Sequence, residues 1–266
     1  MILSRRVSVG GVQLDSLDSR ILILKVDDPV PDESRNAANL YAGDGIGSRI
    51  TSRHIASKKF SVTFSLKINK RDYSARSKLI EKINKWAQAG GTLTSSTRPG
   101  RKMTVVCTGK AAVGDPREWT KEYTISFEAN EKPYWENTET NTASRSTIAN
   151  ATLNLEASGE LDTLLNATIQ NASGASISQV KLTKGNFKIQ LNDLGFAGGE
   201  TLVIDHSSDN ILRIRIRNTG GSYRSVMGKR TEDSTDEILL SPGNNAVAFS
   251  ASRACNVTLS CVGRFS

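Results

Sequence analysis

Two histidines, three cysteines and scattered acids are what this 266-residue sequence offers to chemistry. A Ser-His-Asp triad needs a histidine that meets a nucleophile on one side and an orienting carboxylate on the other. His206 directly follows Asp205 at the end of an alternating stretch, where neighbouring side chains point to opposite sides. His54 lies among basic residues, and neither histidine has a GxSxG or cysteine partner. Cys107, Cys255 and Cys261 form no CxxC pair and give no zinc-ligand spacing. In CNVTLSCV, Cys255, Val257, Leu259 and Cys261 share one parity, so they read as small core residues of one strand. The acids of the second half sit mostly in turns such as TEDSTDE (Thr231 to Glu237). No catalytic residue, cofactor site or metal site is expected, and the chain is expected not to be an enzyme.

Positive charge is the stronger signal. Residues 1–136 hold 23 Lys+Arg against 15 Asp+Glu, whereas 137–266 hold 12 of each, so the net +8 lies entirely in the first half. Such an excess suits nucleic acid, an anionic surface or an acidic protein. Arg49, Arg53, Lys58 and Lys59 carry much of it close together, with few compensating acids, and are the candidate residues for an interface with another subunit or protein. Arg213, Arg215 and Arg217 alternate with Leu212, Ile214 and Ile216 and read as a solvated face opposite a core face. The loop GDGIG (Gly43 to Gly47) lacks the GK[ST] ending and a following helix, so it reads as a turn tip rather than a phosphate cradle.

The elements that must position these residues are mostly strands. Phe60, Val62, Phe64, Leu66 and Ile68 alternate with polar residues, as do Met103, Val105 and Cys107, and Tyr123, Ile125 and Phe127. One segment keeps helical spacing: Leu79, Ile80, Ile83, Trp86 and Ala87 predict an amphipathic helix, capped at Asp72 or Ser74 and ended by Gly90-Gly91. Its apolar stripe should pack on a sheet. Asp27 to Ser57 has neither period and reads as a long functional or partner-ordered loop. Glu136 to Asn150 is rich in Ser, Thr and Asn and reads as a linker. This gives a first domain over 1–136, a linker over 137–150 and an antiparallel β domain over 151–266. The opening stretch lacks an apolar signal segment and no run approaches a bilayer span, so synthesis in a cytoplasm without membrane insertion is expected.

The order of these features resembles the distal tail protein family of long, flexible-tailed bacteriophages. The resemblance rests on GDGIGSRITSRHIASKKFSVTFSL, the helix RDYSARSKLIEKINKWAQ, the ending from Phe127 to Trp135, and the later GGETLVIDHSSDNILRI and LLSPGNNAVAFSA. It implies a mainly β protein: an N-terminal β-barrel-like ring domain with one helix, then a galectin-like β-sandwich. It further implies a structural virion protein of the tail tip. A hexameric ring would join the tail tube protein to the tail-tip or baseplate hub, with DNA passing through without specific binding. Receptor-binding or side-fibre proteins would attach through the second domain. A carbohydrate-binding module is the alternative, weakened by a second half with no Trp and only Tyr223 as tyrosine.

Overall fold

Alternating apolar residues set the strands of the first half. The computed structural model describes residues 5–29, 33–40, 47–55, 57–69, 71–113, 122–130, 132–207 and 210–266, with the backbone alone for 33–40 and 47–55. They fall into two units, 1–135 with Ser266, and 136–265. The first unit contains β1 (Val7–Val9), β2 (Val12–Gln13), β3 (Ile21–Asp27), β4 (Glu33–Leu40), β5 (Gly47–Ile55), β6 (Lys59–Leu66), helix α1 (Tyr73–Gln88), β7 (Gly91–Ser95), β8 (Arg101–Gly109) and β9 (Tyr123–Ala129). Seven strands form one antiparallel sheet in the order β2-β1-β7-β8-β9-β6-β3. One face of it is apolar: Val7, Val9, Phe60, Val62, Phe64, Leu93, Met103, Val105, Tyr123, Ile125 and Phe127 are all buried.

Helix α1 buries the stripe the spacing predicts, Leu79, Ile80, Ile83, Trp86 and Ala87. Asp72 caps it by accepting from the Ala75 amide at 3.0 Å. Trp86 meets Phe127 edge-on at 6.1 Å and donates its Nε1–H to the Val12 carbonyl at 2.8 Å. Gly90 turns the chain into β7 at φ +59, and a Cβ there would press on the Val105 carbonyl oxygen at 3.0 Å. One position on the helix departs from the pattern: Arg76 is buried with the apolar stripe.

The long loop expected between Asp27 and Ser57 is instead a β-hairpin. β4 and β5 pair antiparallel, from Glu33 with Ile55 to Leu40 with Gly47. They pair only with each other among the described residues. The connection 41–46, which holds most of the GDGIG stretch, lies outside the described residues. The hairpin is invisible to hydrophobic periodicity because ESRNAANL carries no alternating apolar face. Ladder hydrogen bonds do not need one.

The second unit contains β10 (Trp135–Asn137, beginning at the boundary), β11 (Asn141–Ala157), β12 (Thr163–Leu164), β13 (Asn166–Asn171), β14 (Val180–Lys184), β15 (Phe187–Leu191), β16 (Thr201–His206), β17 (Leu212–Arg217), β18 (Tyr223–Ser225), β19 (Leu239–Leu240), β20 (Gly243–Cys261) and β21 (Arg264–Phe265). The expected linker is not there. Residues 141–150 are the first part of β11, which pairs with β20 along its length. Its Ser/Thr/Asn composition hid it, since only the later Leu153, Leu155 and Ala157 face the core.

Two long strands make this unit a sandwich. The last part of β20, Cys255 to Ser260, pairs with β13, while Ala248 to Ala251 pairs with β14. One layer therefore runs from β20 through β13, β16 and β17 to β18, and the other through β14 to β15. β11 follows β20 through the bend, with register shifts between Arg145 and Asn150 and Thr147 at φ +55. Between the layers lie Leu155, Ile169, Leu182, Phe196, Ile204, Ile214, Phe249, Val257 and the thiols of Cys255 and Cys261. Burial pushes both thiols up to about 11, so they stay protonated and serve as packing. Where the chain closes, a Cβ on Gly263 would overlap the Ser158 carbonyl. Gly263→Ala should therefore lower the second unit's melting temperature by several degrees, as a scanning calorimetry trace would show.

Candidate functional site

The basic residues singled out in the sequence separate into two kinds. Lys58 and Lys59 are neighbours, and strand parity sends them in opposite directions. Lys59 opens β6 and is exposed, paired in register with Glu128 of β9. Lys58 shares the parity of Phe60, Val62 and Phe64 and is 0% exposed. It is not a surface residue of this unit, and its place among interface candidates is withdrawn. Arg49 and Arg53 lie on β5, opposite Ala38 and Arg35 of β4.

Lys58 is held by an anchor that sequence reasoning missed. Its Nζ lies 3.0 Å from Asp28 Oδ1 and donates to the Pro29 carbonyl at 3.1 Å. The Asp28 side chain is only 9% exposed. It also accepts from Arg98 Nε at 2.7 Å and from Trp135 Nε1 at 3.1 and 3.2 Å. Three donors on one carboxylate satisfy it, which a buried charge requires. Asp28 directly follows β3, the strand leading into the hairpin, and Lys58 directly precedes β6, the strand leading out. Both feet of the β4–β5 arm are thereby tied together. Arg98 comes from the turn between β7 and β8, and Trp135 from the end of the unit. Trp135 is fully buried and meets Phe60 edge-on at 5.9 Å.

A signal for Lys58 existed in the sequence: it stands two positions before Phe60. Nothing local distinguishes Asp28 from Asp27, which pairs with Lys25 at 2.8 Å near the surface. Arg213 and Arg215 are also less free than a solvated face implies. Both reach Asp205, at 2.9 and 2.8 Å, and the Arg215 guanidinium lies 4.8 Å from the centre of the Tyr223 ring. His206 Nδ1 lies 3.1 Å from Asn166 Oδ1, so Asp205 and His206 serve different partners. In TEDSTDE, Asp233 pairs with Lys188 and Asp236 with Arg230. No cluster of three or more metal-ligating side chains occurs among the described residues, and no helix there is long and apolar enough to cross a membrane.

No protein-family model matches the chain, and no curated protein matches it. Solved structures do. The crystal structure of the SPP1 Dit (gp 19.1) protein, described as a paradigm of the hub adsorption apparatus in phages infecting Gram-positive hosts, aligns with a TM-score of 0.73 over 98% of this chain and 99% of that one, at 16% identity. The chain has the fold of that Dit protein. The phage P2 baseplate in its activated conformation with calcium gives a TM-score of 0.50 at 8% identity, covering 98% of each chain. At these identities the likeness is one of fold, and it spans both units of the chain. The ending from Phe127 to Trp135, on which the resemblance partly rested, is a packing motif here: Phe60, Phe127 and Trp135 form one aromatic cluster.

Proposed function

We propose that this chain is a structural, non-enzymatic component of a phage tail tip, a hub built as a hexameric ring. The observation that carries the reading is the alignment with the SPP1 Dit protein over nearly the whole of both chains. Residues 1–136 form the ring, and it joins the tail tube protein to the tail-tip or baseplate hub. DNA passes through without specific recognition. Cyclic closure suits a chain whose hairpin β4–β5 has unpaired outer edges among the described residues, since a neighbouring subunit can cover them. The second unit, 136–265, offers an outward surface to receptor-binding or side-fibre proteins. The protein is made in the host cytoplasm and resides in the virion.

A carbohydrate-binding role for the second unit finds less support. Tyr223 is 51% exposed, but a guanidinium already lies over its ring. A sugar platform needs that face free. The test of the hub reading is the native mass of the purified full-length protein, with negative-stain imaging. A species of six times 28.8 kDa that images as a ring is the expected result. A 28.8 kDa protomer at every concentration, with no capture by tail tubes, would overturn it.

A further inference from the structure

The most anomalous group in the molecule is Arg76. Its side chain is buried at 2% exposure on α1, and its Nε, Nη1 and Nη2 all lack a hydrogen-bond acceptor among the described residues. A buried lysine can shed its proton, but a guanidinium stays charged in a protein. A buried cation without a counter-charge carries a desolvation penalty of several kcal/mol that neither packing nor a pKa change relieves. The ring of Tyr73, 5.4 Å away, offers a cation–π contact but no acceptor.

A second unpartnered donor lies within reach of its charge. Tyr123 opens β9 at 3% exposure, its ring stacked on Phe64 at 5.6 Å, and its hydroxyl has no partner among the described residues. Burial pushes this phenol up, and the positive charge of Arg76 pulls it back only in part, so the hydroxyl stays an O–H donor. Arg76 sits near the start of α1, where the helix end favours negative charge. The neighbouring carboxylate, Asp72, is committed to the Ala75 amide. Donors gather here from two elements, and among the described residues no carboxylate is hydrogen-bonded to either.

We infer that Arg76 and Tyr123 form an internal binding site for a small monovalent anion, of the size of chloride or formate. Charge balance sets the valence. One guanidinium is neutralised by one negative charge, and a dianion would leave the site net negative and again desolvated. Burial sets the size. The site does not depend on the ring reading, since it lies wholly within the first unit of one protomer.

The probe is chloride, exchanged for gluconate at fixed ionic strength on the full chain. Chloride should broaden its own 35Cl resonance in the presence of wild-type protein and raise the melting temperature by a few degrees, because a ligand that binds only the folded state stabilises it by mass action. Arg76→Met should abolish both responses and, in gluconate, melt at or above wild type, since the uncompensated charge is gone. A purely packing role for Arg76 predicts the reverse, a lower melt in every salt. Tyr123→Phe keeps the fold if Arg76→Met does not, and should weaken the chloride response several-fold. A wild-type melt indifferent to chloride and formate alike, or one raised only by sulfate or phosphate, would overturn the site.

Discussion

Asp28→Ala is expected to destabilise the first unit by about 3–5 kcal/mol, the range for removing one partner of a buried ion pair. The substitution strands Lys58, which is 0% exposed and keeps only the Pro29 carbonyl, and it takes an acceptor from Arg98 and from Trp135 Nε1. Asp28→Asn should fall between, because an amide oxygen still accepts while the charge is lost. The double variant Asp28→Ala/Lys58→Met should recover part of the loss, since replacing both members of a buried pair by apolar groups is often close to neutral. Urea melts of the four proteins decide this. Midpoints should shift with the slope unchanged, as befits a stability effect. If Asp28→Ala melted within about 0.5 kcal/mol of wild type, as ordinary surface substitutions do, the anchor would have no energetic meaning. Hydrogen exchange adds a local readout: amides of β4 and β5 should lose protection in Asp28→Ala before those of α1.

The triple substitution Arg49→Ser/Arg53→Ser/Lys59→Ser should act on assembly and spare the protomer. Lys58 is left out because its burial would confound the result. Exposed ion pairs contribute about 0–1 kcal/mol each, and an assembly role for these three cations predicts a protomer melt nearly unchanged by the substitution. In a closed ring the same contact recurs at every subunit junction, so a small loss per contact is multiplied. Electrostatic junctions also weaken with salt, as the screening length falls to roughly 3 Å near 1 M. Wild-type oligomer should therefore dissociate progressively as salt is raised, and the variant should already be dissociated at low salt. Light scattering against salt for both proteins is the measurement. Superimposable curves would remove these three residues from the interface and leave a merely solvated basic arm.

Much of this protein was legible from residue type and spacing. The strand parity of Phe60, Val62 and Phe64, of Tyr123, Ile125 and Phe127, and of Cys255 to Cys261 put the right side chains in the core. The caps Asp72 and Gly90 bounded the one long helix. These are local periodicities, and a half-buried strand or helix imposes them wherever it packs. What lacked a periodic apolar face was misread. The polar hairpin β4–β5 passed for a loop and the first half of β11 for a linker, because their order comes from ladder hydrogen bonds with distant partners. β11 needed β20, about a hundred residues away.

Tertiary structure alone decided which partners the buried charges meet. By sequence, Lys58 and Lys59 are one basic patch, and Arg76, three positions before Leu79 and seven before Ile83, falls on the apolar stripe of the helix with no counter-charge in sight. The fold buries Lys58 against Asp28, which stands 30 positions earlier, and buries Arg76 with its charge in reach of Tyr123, which arrives 47 positions later. A buried charge is tolerable only with a partner. Which side chain or ion supplies that partner depends on what the sheet brings within about 3 Å, a distance that no local pattern in the chain encodes.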